Sequence, residues 1–387
     1  MSLTTPRSAR AAPGAARSAT ACRRLTLGVE EEFLLVDRVT RAPVGRAPQL
    51  IAALAPVLGP QVQCEFYTTQ IEVCTRPVRD AGALRAELAG LRALLVTAAR
   101  EVGCLLVATG TPVIPPERPM TITPQERYLV MARRFAGAIG DRDQVVCGCH
   151  VHVGVDGKAQ ALALANRMRP WLPVLQSLAA NSPFDRGLDS GWADWRAVEH
   201  ARWPTVGPAP LLDERGYDLV ADALVRRAGL LDRRMIYWYA RPSEHVPTLE
   251  IRVADTNADL DVVVLLAILV RGLAATFLTG LAAPAPGAPA GTRAVREAHR
   301  LAALGGLDGA GLDLPHGRLV PARRLLDRLV EEAAPGLEAA GERVAAEVLV
   351  DRLYRAGGGA SRQRASYGRR GRLSDVVDDL ARATAAS

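Results

Sequence analysis

The sequence predicts an α+β protein built on a helix-covered β-sheet, and three observations carry that prediction. Short alternating segments at 25–36, 64–74, 104–110, 145–155 and 247–254 are interspersed with helix-length patterns at about 79–102, 158–180, 258–280 and 321–356. Four of the alternating segments split into one apolar row and one polar row. A chain of 387 residues with 49% hydrophobic content can also bury a sizeable core.

Residues 1–22 are rich in Ala, Arg, Ser and Pro without apolar periodicity, which predicts a disordered basic tail. A transit peptide shares that composition, whereas a secretory signal needs a continuous apolar core that is missing here. From 23 to 387 the pattern reads as a single domain, with a Pro/Ala/Gly surface linker at 281–292 before the C-terminal helices. The segment LRAELAGLRALLVTAAREVG has apolar residues at helical spacing and a stop at Gly103. GGGASRQRASYGRRG at 357–371 reads as a glycine-rich basic loop able to close over phosphates, or as a solvated linker before a last helix. The longest apolar stretch, about 262–269, is bounded by Asp259, Asp261 and Arg271, short of the ~18 to 20 residues of a spanning helix, so no membrane role is expected.

The net charge of +7 lies partly in the tail and in RRGR at 369–372, so it suits an anionic small substrate as well as it suits nucleic acid, and no nucleic-acid partner is expected. Six cysteines are too few for a disulfide scaffold in a chain this long, which points to a reducing cytoplasm. Lys158, the sole lysine, stands in DGKAQ without the glycine-rich lead of a P-loop. Phosphate handling would therefore fall to arginine and metal ions.

Side chains alternate faces along a strand, so each segment yields two rows. LTLGVEEEFLLV gives Leu27, Val29, Glu31, Phe33 and Leu35 against Gly28, Glu30, Glu32 and Leu34. Glu30 and Glu32 share a face about 6.5 to 7 Å apart at ~3.3 Å per residue. Glu31 points into the apolar row and needs an arginine partner or a strand-edge exit. FYTTQIEVCT puts Gln70, Glu72 and Cys74 on one row, CHVHVGVD puts His150 and His152 on one row, and PTLEIRVAD pairs Glu250 with Arg252.

One polar face is ordinary for an antiparallel sheet exposed to water. If the four segments are neighbours, however, Glu30, Glu32, Glu72, His150 and Glu250 crowd together, and hard divalent cations are the natural counter-charge. CGCHVH invites a zinc reading, but Cys147 and Cys149 lie on the row opposite His150 and His152 and cannot converge on one tetrahedral ion unless the chain turns at Gly148. The two cysteines read more simply as small buried hydrophobes.

LGVEEEF, CGCHVHVGVD and RPSEHVPTLEIRVAD resemble, in order and spacing, the carboxylate–amine ligase family also called glutamate–cysteine ligase type 2. DSGWADWR, RWPTVGPAP and RQRASYGRRG share the likeness, which extends over about residues 25–384. The resemblance implies a glutamine-synthetase-like fold: a curved, mainly antiparallel sheet with helices on its outer face, holding ATP and Mg²⁺, or Mn²⁺ in its place, on the concave side. It implies a ligase forming a carbon–nitrogen bond through an acyl phosphate, from glutamate or a related acid and cysteine or another amine. It also implies metal ligation by Glu30, Glu32, Glu72, His150 and Glu250, contact of Arg252 with the transferred phosphate, and a weaker role for Arg241 toward a substrate carboxylate or phosphate. Homo-oligomerisation is left open. A phosphotransferase acting on guanidino groups and a non-catalytic nucleotide-binding protein are the competing classes.

Overall fold

The acidic, alternating residues Leu27–Asp37 form β1, the longest strand and the hub of the main sheet. The structure, a computed structural model, describes residues 25–116, 119–139, 145–280 and 290–386. The expected tail at 1–22, and the expected linker apart from residues 290–292, lie outside the described residues.

The sheet is completed by β2 (Val62–Cys64), β3 (Gln70–Cys74), β4 (Cys104–Val107) and β5 (Gly148–Gly154). A two-residue hairpin, β6 (Phe184–Asp185) with β7 (Leu188–Asp189), stands apart, and β8 (Ala240–Pro242) and β9 (Thr248–Asp255) finish the main sheet. A second hairpin, β10 (Ala310–Asp313) with β11 (Arg318–Pro321), follows later in the chain. The order across the main sheet is β2-β3-β1-β5-β9-β8, with β4 beside the distal half of β1, and the sheet is open. All of its pairings are antiparallel.

Helices cover the apolar rows. Ala81–Glu101 is capped by Asp80, whose side chain accepts from the Ala83 N–H, and buries Leu84, Leu88, Leu91 and Leu95 at the three- and four-residue spacing of one helix face. Leu260–Thr279, capped by Asp259, is buried on nearly every side by the sheet and the C-terminal helices. Its 20 mostly apolar residues are long enough to cross a bilayer, and the expectation from residues 262–269 alone undercounted it. Its apolar residues instead form the centre of the protein core, with Arg271 paired to Glu342.

Several expected elements divide. The segment 64–74 is β2 and β3 joined by a loop, and 158–180 is Lys158–Met168 followed by Leu172–Ala179, interrupted around Pro170. Residues 321–356 break at Gly341, whose φ of 72° is the left-handed conformation that ends the helix Ala322–Ala340. The expected phosphate-covering loop at 357–371 is a correction: it forms the helix Gly359–Arg370, followed by Leu373–Ala385. Gly359 serves close packing there, since a Cβ would lie 2.5 Å from Asn181 Oδ1, and Gln363 one turn on donates to the same oxygen at 2.8 Å.

Candidate active site

The strand registers bring the predicted polar rows together. Glu30 stands opposite His150 and Gly28 opposite His152 across β1 and β5, and Glu32 stands opposite Glu72 across β1 and β3. His152 and Arg241 each stand opposite Glu250, from β5 and β8 respectively. Glu30, Glu32, Glu72, His150, Glu250, Arg252 and Arg241 therefore converge on one face of adjoining strands.

Glu31 faces the other way. Its carboxylate, 0% exposed, meets the Arg92 guanidinium, 1% exposed, in two parallel contacts of 2.5 and 3.0 Å. Arg92 also donates to the carbonyls of Asn257 at 2.7 Å and Ala258 at 3.2 Å. The arginine partner the apolar row demanded comes from the covering helix.

On the site face, Glu30 contacts both imidazoles, with Oε2 3.0 Å from His150 Nδ1 and Oε1 3.2 Å from His152 Nε2. The second approach is misaligned for a hydrogen bond, leaving His152 Nε2 buried and unpartnered while Nδ1 pairs with Thr248 Oγ1 at 2.8 Å. His150 lies between the carboxylates, its Nε2 3.9 Å from Glu32 and its Nδ1 3.9 Å from Glu250. One donor atom each from Glu30, His152 and Glu250 falls within a mutual 4.8 Å, and the same holds for Glu32, Glu65 and Glu72.

The charges are arranged unevenly. Burial opposes the ionisation of Glu250, but Arg252 and Arg241 outweigh it and hold that carboxyl well below its ordinary range. The two imidazoles likewise overcome burial at Glu30 and hold it low. At Glu32 burial and the Glu65 charge push the carboxyl up to about 7, and at Glu72 burial with Glu65, Glu30 and Glu32 pushes it well above the usual range. The second trio thus carries carboxyls that need either protons or cations.

The two arginines differ in what they can still reach. Arg252 grips Glu250 through Nη1 and lies 5.8 Å from the centre of the Tyr237 ring, while its buried Nε has no partner. Arg241 is tied to the scaffold through two of its three nitrogens: Nε donates to Glu250 at 2.9 Å, and Nη1 to the carbonyls of Arg233, Arg234 and Ile236. This geometry suits Arg241 to positioning Glu250.

Cys147 and Cys149 are buried in the two core clusters, away from the histidine row. Gly148 between them brings its N–H to Glu32 Oε2 at 2.7 Å, and a Cβ there would lie 3.2 Å from His150 Nε2. Sequence reasoning missed Glu65, which lies in the loop between β2 and β3 where alternation assigns no face. It also passed over His152 in favour of its neighbour on the same row. Arg196 was a third omission: from the helix Trp195–His200 it donates to Asp255 at 2.7 Å and to the Ala254 carbonyl at 2.7 Å behind the site.

An open antiparallel sheet covered by helices on one face thus carries an acidic and basic cluster on the other. The chain belongs to glutamate-cysteine ligase family 2, whose family model matches residues 26–379. A protein provisionally named glutamate–cysteine ligase 2-1 from Saccharopolyspora erythraea is 43% identical over 92% of this chain and 94% of its own. A relative from Frankia alni, provisionally named glutamate–cysteine ligase 2-2, is 42% identical over 93% of this chain and 97% of its own. The fold is shared with a bifunctional glutathione synthetase from Pasteurella multocida, at a TM-score of 0.73 and 14% identity over 96% of this chain, which spans 53% of that larger protein. It is also shared with a glutamate–cysteine ligase from Francisella tularensis solved with AMP, at a TM-score of 0.68 and 13% identity over 93% of this chain and 88% of that one.

Proposed function

We propose that this chain is an ATP-dependent carboxylate–amine ligase that activates glutamate or a related acid as an acyl phosphate and joins it to cysteine or another amine, releasing ADP and phosphate. One observation carries the reading: two trios of carboxylate and imidazole donors lie on one sheet face, with the Arg252 guanidinium bound to Glu250 of the first.

The donor set fits hard divalent cations such as Mg²⁺ or Mn²⁺. Its carboxyl oxygens predominate, the raised carboxyls of Glu32 and Glu72 call for counter-charge, and His152 Nε2 is an orphaned buried donor aimed at Glu30. Glu30, His152 and Glu250 would hold one ion and Glu32, Glu65 and Glu72 another, with His150 between the groups. Bound there, the ions neutralise charge on the phosphoryl group being transferred.

The protein's own side chains do the rest by position and charge. Arg252, fixed on one side by Glu250, turns its planar fork to the phosphoryl oxygens, the kind of contact that stabilises phosphoryl transfer without a nucleophile. Arg241 locks Glu250 in place. Residues 23–387 are taken as a single ligase domain working in the cytoplasm, a compartment consistent with five free cysteines among the described residues.

The test is phosphate release from ATP with Mg²⁺ across a panel of amino acids and amines, with product masses measured. A ligase releases phosphate only when acid and amine are both present, and yields an amide of the summed mass less water. Phosphate transfer onto an acceptor without amide formation would replace this reading with a phosphotransferase, and nucleotide binding without turnover would replace it with a binding protein.

A further inference from the structure

His200 ends the short helix Trp195–His200 beside the site but outside both donor trios. Its ring centre lies 5.4 Å from that of Tyr237, the ring that Arg252 approaches to 5.8 Å. The side chain is half-buried, and among the described residues neither of its ring nitrogens has a hydrogen-bond partner. Arg196 from its own helix, Arg252 from β9 and His150 from β5 are the charged and titratable groups that bear on it.

The ligase reading on which this inference rests leaves one step without an agent. An amino-acid amine is an ammonium ion at neutral pH and has no lone pair with which to attack an acyl phosphate. Glu30, Glu32, Glu65, Glu72 and Glu250 are committed to one another, to the imidazoles, to cations or to Arg252. An imidazole with both nitrogens unengaged, at the rim of this cluster, is a proton acceptor not committed elsewhere. We propose that His200 is the general base that deprotonates the incoming amine.

The carboxylate takes the terminal phosphoryl group of ATP, giving acyl phosphate and ADP. The ammonium gives one proton to His200, its freed lone pair forms the carbon–nitrogen bond, and the carbon–oxygen bond to phosphate breaks. The second nitrogen proton leaves with the phosphate as hydrogen phosphate, and His200 returns its proton to water.

Burial, with Arg196, Arg252 and His150, holds His200 well below its ordinary range, so the free imidazole is the resting form.

Hydroxylamine tests this directly, because its nitrogen is already unprotonated at neutral pH and needs no base. In His200→Asn, amide formation with an amino-acid acceptor is expected to fall by ~10²- to 10⁴-fold while hydroxamate formation from ATP, acid and hydroxylamine stays within a few-fold of wild type. The residual amide rate should climb about tenfold per pH unit toward the pKa of the acceptor amine. Added imidazole should restore amide formation to His200→Ala, which keeps the test open if the Asn variant folds poorly. Equal losses with both acceptors, or no loss with either, would overturn the assignment. A wild-type enzyme that makes neither hydroxamate nor amide would overturn the ligase reading itself, and the base with it.

Discussion

Arg92→Met isolates what the Glu31 pair does for the fold. The substitution keeps an unbranched apolar side chain of similar length but leaves the Glu31 carboxylate, 0% exposed, without its two guanidinium contacts. Removing one member of a buried ion pair costs about 3–5 kcal/mol. The Asn257 and Ala258 carbonyls lose their donor as well, adding about 1 kcal/mol apiece. A loss of roughly 5–7 kcal/mol approaches the whole stability of a marginal domain, about 5–15 kcal/mol. Urea unfolding followed by far-ultraviolet circular dichroism reads it as a large fall in midpoint. The paired replacement Glu31→Leu with Arg92→Met removes both charges and should recover most of the loss, leaving chiefly the carbonyl terms. An Arg92→Met stability within about 1 kcal/mol of wild type, the usual error of extrapolation, would refute the account of Glu31 as a buried, paired charge.

Other expectations concern the site. Glu250→Gln should reduce phosphate release by at least ~100-fold with the far-ultraviolet spectrum unchanged, and a wild-type rate would remove Glu250 from the metal set. Arg252→Lys should lose most of its turnover while nucleotide affinity, measured by calorimetry, falls less, because a point charge does not reproduce the planar fork. Equal effects on the two quantities would argue for a simple binding role. His299, whose Nδ1–H donates to Gln176 Oε1 at 2.7 Å, is pushed down to about 3 by burial and the nearby Arg169. A histidine depressed on folding contributes stability that is complete above its unfolded pKa of about 6.5 and is lost as pH falls toward 3, so wild type should lose about 2 kcal/mol between pH 8 and pH 5. In His299→Gln that pH-dependent component should vanish, and an unchanged slope would show that other groups produce it.

The sheet was legible because its chemistry follows period two. Glu30, Glu32, Glu72, His150 and Glu250, assigned to one face from alternation, stand opposite one another on it, since strand pleating leaves a side chain only two directions, whereas Leu34 of the same row packs into the core. Strand order was not legible, because nothing in one segment states which other segment it joins. Glu65 escaped notice for a related reason: a loop residue has no row, and only the pairing of β2 with β3 brings it to Glu32 and Glu72. The misread stretch at 357–371 shows the limit of composition, since its glycines look like mobility in sequence, yet Gly359 is a close-contact point and Gly371, at a φ of 66°, ends the helix. Arg241 and Arg252 were inseparable by residue type. The carbonyl cluster that occupies Arg241 comes from residues 233–236, a turn that no periodic pattern announces.

Three consecutive glutamates create a hazard that the Glu31 pair resolves. Sliding β1 by one residue against its neighbours would turn Glu30 and Glu32 into the apolar core and bring Glu31 to the site, exchanging one buried carboxylate for two. Only the observed register gives the core-facing carboxylate a guanidinium, because Arg92 is fixed by its place on the helix Ala81–Glu101 and by two carbonyls of the loop after β9. On this argument the pair contributes to specifying the register that assembles the donor trios more than to net stability, which an apolar replacement of both partners would match. The Glu31→Leu, Arg92→Met protein is then expected to lose only the carbonyl terms, about 2 kcal/mol, yet to show faster amide hydrogen exchange along β1 and weaker Mn²⁺ binding. If exchange and Mn²⁺ affinity both match wild type, the alternating apolar residues alone set the register and the ion pair does not contribute to it.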